Sequence, residues 1–145
     1  MSLLFNYGAD ATIQVNDGNT ALHIAARRNR VEICKILLKI PHIDVNITDS
    51  AGVTPLHFAC IEGDIQICEL LINKKANILA TDSDGKTPFH YVAFYGREII
   101  AELLFASGKH FFLNRMTNNH HQHDYSFIYN YNNNYNNDEI IITQY

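Results

Sequence analysis

Residues 52–60, with the sequence GVTPLHFAC, organise the chain because closely similar stretches lie on both sides of them. Residues 17–26 read DGNTALHIAA, and residues 85–93 read GKTPFHYVA. The threonines at the same place in the three copies are 34 and 33 residues apart. A period of this length is typical of repeat proteins, in which each unit buries its apolar face against the next unit. The chain is therefore expected to fold as a stack of repeats.

The second half of each unit also recurs. Residues 31–38 read VEICKILL, residues 65–72 read IQICELLI, and residues 98–105 give the looser match EIIAELLF. Their apolar residues have helical spacing, so each unit is predicted to consist of a turn, a short helix, a loop and a longer helix. The predicted helices, paired antiparallel and stacked in one layer, cover residues 21–28, 31–39, 55–62, 65–73, 88–95 and 98–107. The predicted core contains Leu22, Leu56 and Phe89.

Local sequence chemistry supports these boundaries. Thr54 and Thr87 can each cap the free N–H groups of a helix start, and each is followed by a proline, which is favoured at the first helical position. Nine residues after these threonines, Gly63 and Gly96 lie where the first helix should end in a left-handed conformation. Asn29 is the equivalent residue of the first copy, and asparagine is the next-best residue for that conformation.

These segments resemble the ankyrin repeat, with its Thr-Pro-Leu-His stretch, its glycine between two helices and its Leu-Leu pair. The similarity covers about residues 1–113. It implies an all-α ankyrin-repeat solenoid of helix-turn-helix repeats with β-turn or hairpin connections. Ala21 replaces proline in the first full repeat, and residues 75–77, KAN, replace Gly-Ala-Asp in the second. The expected units are the C-terminal half of a truncated repeat at 1–14, repeats at 15–48, 49–81 and 82–114, and a tail at 115–145.

The C-terminal part of the sequence departs from the repeat. After Gly108, residues 109–113 are expected to begin another inter-repeat turn. Residues 118–123 read NNHHQH and residues 129–137 read YNYNNNYNN, a polar, low-complexity composition that cannot bury enough apolar surface to fold. The tail is therefore predicted to be disordered, although the apolar run at 140–142 favours β-type self-association.

Composition excludes several functional classes. The net charge is −4, and Arg27, Arg28 and Arg30 are the nearest approach to a basic cluster, which is too small for a nucleic-acid partner. The apolar runs are far below the roughly 20 residues that span a bilayer, and no secretory signal is readable, so no membrane association is expected. The three cysteines form no CxxC pair and are interpreted as buried residues in a reducing compartment. The expected localisation is intracellular, cytoplasmic or nuclear.

Histidines offer the main alternative to a binding function. His23, His57 and His90 occupy one position in the three repeats, and the ankyrin resemblance implies that each links its turn to the neighbouring repeat. His120, His121 and His123 could chelate a metal weakly, but a compositional origin is favoured because no rigid shell surrounds them. The sequence contains no nucleophile elbow, phosphate-binding loop or paired catalytic carboxylates. No enzymatic activity, catalytic residue, metal or cofactor is therefore predicted.

The resemblance places partner binding on the concave face of the stack, at positions that differ between repeats. These positions are the turn tips and the two residues before the glycine of the first helix. The candidate partner-binding residues are Asn16, Asp17, Asn19, Arg27, Arg28, Ser50, Ala51, Val53, Ile61, Glu62, Ser83, Asp84, Lys86, Phe94 and Tyr95.

Two interpretations of the aromatic candidates remain open. Ile61, Phe94 and Tyr95 suit an apolar interface anchor, while Arg27 and Arg28 at the other end of the face suit acidic groups. Alternatively, Phe94 and Tyr95 cover the C-terminal end of the stack, because terminal repeats are atypical.

Two functions follow from the sequence. The first is a monomeric scaffold or adaptor that binds another protein through the concave face. The second is a fragment of a larger ankyrin-containing signalling enzyme, channel or acyltransferase whose active domain is missing; the half-repeat at Met1 favours this alternative.

Overall fold

The computed structural model describes residues 10–116, with side chains described for residues 10–108. First helices of successive repeats pack on one another, and so do second helices, so that the helix pairs form one stack. This arrangement confirms the all-α repeat fold. The helices are α1 (Ala21–Arg27), α2 (Val31–Leu38), α3 (Pro55–Glu62), α4 (Ile65–Asn73), α5 (Pro88–Phe94) and α6 (Glu98–Met116). Residues 1–9 and 117–145, which hold most of the expected half-repeat and the tail, lie outside the described residues.

Each first helix begins at the predicted threonine. The backbone N–H groups of Thr20, Thr54 and Thr87 donate to Nδ1 of the histidine three residues later, at 3.1, 3.1 and 2.9 Å. Pro55 and Pro88 are the first residues of α3 and α5. Since the first N–H groups of a helix lack intrahelical partners, these local contacts fix where the helix starts.

The first helices also end as the sequence predicts. Gly63 and Gly96 have φ values of 80° and 63°, and Asn29, at the equivalent place in the first repeat, has a φ of 55°. The left-handed residue reverses the chain within a short loop and lets the second helix fold back on the first.

Tight turns connect the repeats and stack directly on one another. In the second repeat, the N–H of Asp49 donates to the carbonyl of Val53 at 3.0 Å. In return, the N–H of Val53 donates to the Asp49 carboxylate at 2.9 Å. Between turns, the N–H of Ser50 donates to the carbonyl of Asp17 at 2.9 Å. A Cβ atom at Gly18 would lie 2.7 Å from the Ser50 nitrogen, so this close approach of two backbones requires glycine.

Two histidines join one repeat to the next. Nε2 of His23 lies 3.0 Å from the carbonyl oxygen of Val53, and Nε2 of His57 lies 3.0 Å from that of Lys86. Because Nδ1 already accepts a backbone N–H, the proton must be on Nε2, which donates to the carbonyl of the following repeat. The structural role expected for His23 and His57 is therefore confirmed, and the cap and the repeat interface depend on one neutral tautomer.

The core follows the stack from one repeat to the next. Leu22, Leu56 and Phe89 are all buried, as predicted, and Leu56 has no exposed surface. The three cysteines are buried as well, and burial raises the pKa of the Cys34 thiol to about 11. The prediction that the cysteines are buried is therefore confirmed.

The last helix departs from the prediction. Helix α6 was expected to end at residue 107, and its regular helix does break there, at a kink at Gly108; the inter-repeat turn expected at 109–113 is instead a second helical segment that reaches Met116. The predicted turn is wrong because residues 109–116, KHFFLNRM, contain neither the proline nor the glycine that ends a helix, so the glycine interrupts the helix without ending it.

Replacing Leu56 by alanine should lower the free energy of unfolding by about 2–5 kcal/mol, because it leaves a cavity in the central repeat. Urea unfolding of the two proteins measures this difference. The matched control is Ile99→Ala on α6, where the side chain is 60% exposed and the change should stay within about 0.5 kcal/mol. Equal effects of the two substitutions would contradict the assigned core.

Acidification should weaken the stack through the buried histidines. Burial lowers the pKa of His57 and of His23 from 6.5 in the folded chain. Both imidazoles are neutral in the folded and unfolded chains above this pH, so their full contribution to stability is present there. Below it the unfolded chain binds protons that the fold excludes, and stability falls as the pH decreases.

The free energy of unfolding should therefore fall as the pH is lowered from about 7.5 to about 5.5, the range in which histidine changes its charge. His57→Gln should be less stable at the upper pH but show a shallower decrease, because one of the two histidines whose pKa is lowered by burial is gone. Urea unfolding across this range tests the expectation, and parallel curves for the two proteins would contradict it.

Candidate partner-binding face

The side of the stack formed by the turns and the first helices is called the inner face. It consists of the turns at residues 15–20, 49–54 and 82–87 together with the solvent side of α1, α3 and α5. The inter-repeat backbone hydrogen bonds hold these turns in register with one another. Side chains from three repeats are thereby presented on one surface, even though they are far apart in sequence.

Phe58 forms the centre of the first cluster on this face. Its ring meets the His23 imidazole edge-on at a centroid distance of 6.0 Å, and the Arg27 guanidinium lies 5.4 Å from its centre. A guanidinium at this distance from an aromatic ring is attracted by the ring quadrupole. The contact holds the exposed Arg27 on the surface of the next repeat.

Tyr91 forms the corresponding cluster one repeat further along. Its ring meets the His57 imidazole edge-on at 5.8 Å, and Nζ of Lys86 lies 5.9 Å from its centre. The Tyr91 hydroxyl donates to the carboxylate of Asp82. Burial and the neighbouring Asp82 carboxylate raise the pKa of Tyr91, so the phenol keeps the proton that it donates.

The Asp82 carboxylate belongs to its own turn. Burial opposes its ionisation, but hydrogen bonds from the Tyr91 hydroxyl and from the N–H groups of Lys86 and Asp84 outweigh this and lower the pKa of Asp82. The ionised carboxylate therefore closes the turn and fixes the tyrosine ring at the same time.

Most of the predicted partner-binding residues are accessible. Val53 and Ile61 are half-buried. The candidates whose side chains are exposed are Asn16, Asp17, Arg27, Arg28, Ser50, Ala51, Glu62, Ser83, Asp84, Lys86, Phe94 and Tyr95.

The expectation that Asn19 is an accessible contact residue is wrong. Its side chain is only 3% exposed. Residues at this position lead into the N-cap threonine, where the chain turns inward from the exposed tip toward the helix. The equivalent Val53 is half-buried and the equivalent Lys86 is exposed, so the burial of this position increases from the third turn to the first.

Phe94 and Tyr95 form the most exposed apolar part of this region. Phe94 is 73% exposed and Tyr95 is 45% exposed, and their rings meet edge-on at a centroid distance of 5.0 Å. The Arg97 guanidinium lies 5.9 Å from the Tyr95 ring centre and donates to the carbonyl of Ile61 at 3.0 Å. Arg97 thus connects the aromatic pair to the preceding repeat.

Three residues of this surface were missed by the sequence analysis: Phe58, Tyr91 and Arg97. The residue directly after the shared histidine is isoleucine, phenylalanine or tyrosine in the three copies, and the residue after the helix-ending position is arginine, aspartate or arginine. Both positions vary as much as the turn tips do. Applying the same criterion of variation to the whole repeat would have found them.

The described part of the chain offers no metal centre. Among its side chains there is no group of three or more histidine, cysteine or acidic residues placed to hold an ion. Within residues 10–116, none of the helices has the length and apolar character needed to cross a membrane.

Comparison with known families agrees with this architecture. Residues 40–117 match the model for ankyrin repeats in three copies, and residues 17–50 match the model for a single ankyrin repeat. A search of curated proteins finds no match. Ankyrin repeats are generally protein-interaction modules and are typically non-catalytic. The first match alone spans more than half of the sequence, and the chain belongs to the ankyrin repeat family.

Proposed function

We propose that the protein is a scaffold or adaptor that binds another protein through its inner face and performs no chemistry itself. The observation that carries this proposal is the exposed aromatic pair, Phe94 and Tyr95, at the end of α5. Large exposed aromatic residues are enriched among the few residues that supply most of the energy of protein interfaces. In this proposal the chain acts as a monomer.

The aromatic pair is well suited to be an anchor because its geometry is already set. The edge-to-face contact between the two rings and the guanidinium of Arg97 beside Tyr95 limit the rotation of these side chains before a partner arrives. A preorganised anchor loses less conformational entropy on binding than a freely rotating side chain. This favours the anchor over a purely covering role.

The opposite end of the face supplies positive charge. Arg27 and Arg28 are both exposed, and Arg27 is held against the Phe58 ring. Exposed charges at the edge of an interface act mainly by attracting the partner before contact. The proposed division is an aromatic anchor in the third repeat and electrostatic steering in the first.

The anchor is tested by changing Phe94 and Tyr95 together to alanine. The change should weaken binding of a partner obtained by affinity capture by at least about 2 kcal/mol, because it removes the apolar anchor. Isothermal titration calorimetry measures the loss. Ile99→Ala is the matched control, since it also removes an exposed apolar side chain but lies on the second-helix row.

The urea unfolding midpoint of the double variant should stay near that of the parent protein, so that a loss of binding is not a loss of fold. Binding that disappears when residues 118–145 are deleted, but that tolerates the Phe94 and Tyr95 changes, would move the function to the Asn/Tyr-rich segment.

The charged end is tested separately by changing Arg27 and Arg28 to glutamate. The association rate should fall and its salt dependence should weaken or reverse, while the dissociation rate changes little, because edge charges steer the encounter more than they hold the complex. Stopped-flow or surface plasmon resonance measurements at several salt concentrations separate the two rates. An effect confined to the dissociation rate would show that these arginines are not steering residues.

A further inference from the structure

Two Asp-Gly pairs of the chain lie in inter-repeat turns. They are Asp17–Gly18 in the first turn and Asp84–Gly85 in the third turn. In an Asp-Gly pair the backbone nitrogen of the glycine can attack the side-chain carboxyl group of the aspartate, because glycine has no Cβ atom that would hinder the approach. The two pairs are chemically alike, so the surrounding structure decides how readily each one reacts.

The reaction at such a pair rearranges the backbone without an oxidant or a cofactor. The glycine nitrogen bonds to the side-chain carboxyl carbon of the aspartate, and the proton of that nitrogen leaves with the carboxyl hydroxyl group as water, which gives a succinimide. A water molecule then adds to a carbonyl carbon of the succinimide and opens it. Opening at the original peptide carbonyl gives isoaspartate, in which the chain runs through the former side chain. Opening at the other carbonyl restores aspartate.

The carboxylate of the first pair is engaged in its own turn. It accepts the N–H of Asn19 at 3.0 Å, an interaction that the attack would disrupt. Hydrogen bonds from Asn19 also lower the pKa of Asp17. A lower pKa reduces the fraction of the carboxylic acid, which is the form that releases water, so both effects oppose the reaction at Asp17.

Neighbouring segments also fix the backbone at Gly18. The N–H of Ser50 donates to the carbonyl of Asp17 at 2.9 Å, and the side-chain amide of Gln14 donates to the carbonyl of Gly18 at 2.8 Å. A Cβ atom at Gly18 would lie 2.7 Å from the Ser50 nitrogen. Closing the succinimide requires this backbone to rotate, and the packed second turn opposes the rotation.

The third turn leaves its pair accessible. Asp84 and Gly85 are both exposed, and apart from its chain neighbours no described atom lies within 4 Å of the position that a Cβ atom of Gly85 would take. Within residues 10–108, the Asp84 carboxylate has no hydrogen bond. The N–H of Gly85 donates to the carbonyl of Asp82, but the N–H of Gly18 makes the equivalent bond in the first turn. This shared bond does not distinguish the pairs.

We propose that Asp84 is a site of spontaneous isoaspartate formation in the folded protein, and that the stack protects Asp17 from the same reaction. The inference does not depend on the proposed function. The product places an additional carbon atom in the backbone between Asp84 and Gly85. The N–H groups of Gly85 and Lys86, which donate to Asp82 at 2.9 and 3.0 Å, follow this change directly. The modification therefore alters the hydrogen bonds that close the third turn.

The parent chain contains its own matched control, since both pairs are compared in one sample. The protein is incubated in neutral buffer made with heavy-oxygen water, so that each opening of a succinimide leaves a heavy oxygen in the product. Trypsin cleaves after Arg27 and Lys75 and releases the two pairs in separate peptides. Mass spectrometry with electron-transfer fragmentation then distinguishes isoaspartate from aspartate. Label and isoaspartate should accumulate about three- to tenfold faster at Asp84, the factor that one retained hydrogen bond at Asp17 supplies.

The same incubation in guanidinium chloride removes the effect of the fold. The two sites should then react at similar rates, because the contacts of the first turn are lost. Similar rates in the folded protein, or a faster reaction at Asp17, would overturn the inference. A preference for Asp84 of the same size in the denatured chain would overturn it too, since such a preference comes from local sequence alone.

Asp84→Glu assigns the signal within its peptide, which also contains Asp82. Glutamate has a longer side chain and closes the corresponding ring far more slowly, so the label in this peptide should be lost. Because Asp84 is exposed, the substitution should leave the fold intact. Label that is retained in the variant would place the reaction at Asp82 and overturn the assignment.

Discussion

The hydrogen bond from a buried imidazole to the carbonyl of the next repeat is the interaction on which the stack most depends. His57 accepts a backbone N–H from Thr54 at one nitrogen and donates to Lys86 from the other. One side chain thus starts a helix and attaches the following turn. Short helices of seven or eight residues are marginal in isolation, so their persistence depends on such contacts between repeats.

This dependence explains how the inner face keeps a defined geometry although it is made largely of turns. Each turn is closed by its own backbone hydrogen bonds, and the second and third turns are each attached to the preceding turn by a further backbone hydrogen bond. Phe58 and Tyr91, which follow the histidines of the second and third repeats, then pack edge-on against the histidine of the preceding repeat. Surface side chains such as Arg27 and Lys86 rest on these aromatic rings, so their positions depend on the same framework.

The same framework separates stability from recognition. Positions that are identical or similar between repeats, such as the threonine and histidine of each first helix, make the bonds that hold the stack together. Positions that differ, such as Arg27 and Phe94, face solvent without disturbing those bonds. A repeat protein can therefore change its partner specificity by substitution at the variable positions, because the recurring positions supply the energy of folding.

The sequence by itself determined the repeat period, the helix starts and most helix ends, because these depend on local chemistry: a capping threonine, a proline at the first helical position and a left-handed residue at the end. It also identified Leu22, Leu56 and Phe89 as core residues, since their positions recur with the period. The continuation of α6 beyond Gly108 was not foreseen, because a glycine signals a helix end only when the following residues also favour a turn.

Only the tertiary structure decided which variable residues belong to the surface. Asn19 lies in a turn by sequence but is buried, since the chain enters the stack at that point. Phe58 and Tyr91 became part of the candidate site because each receives a cation from elsewhere in the chain: Arg27 from the preceding repeat and Lys86 from the adjoining turn. Such contacts depend on the packing of one repeat against another and on side-chain direction, which local sequence patterns do not encode.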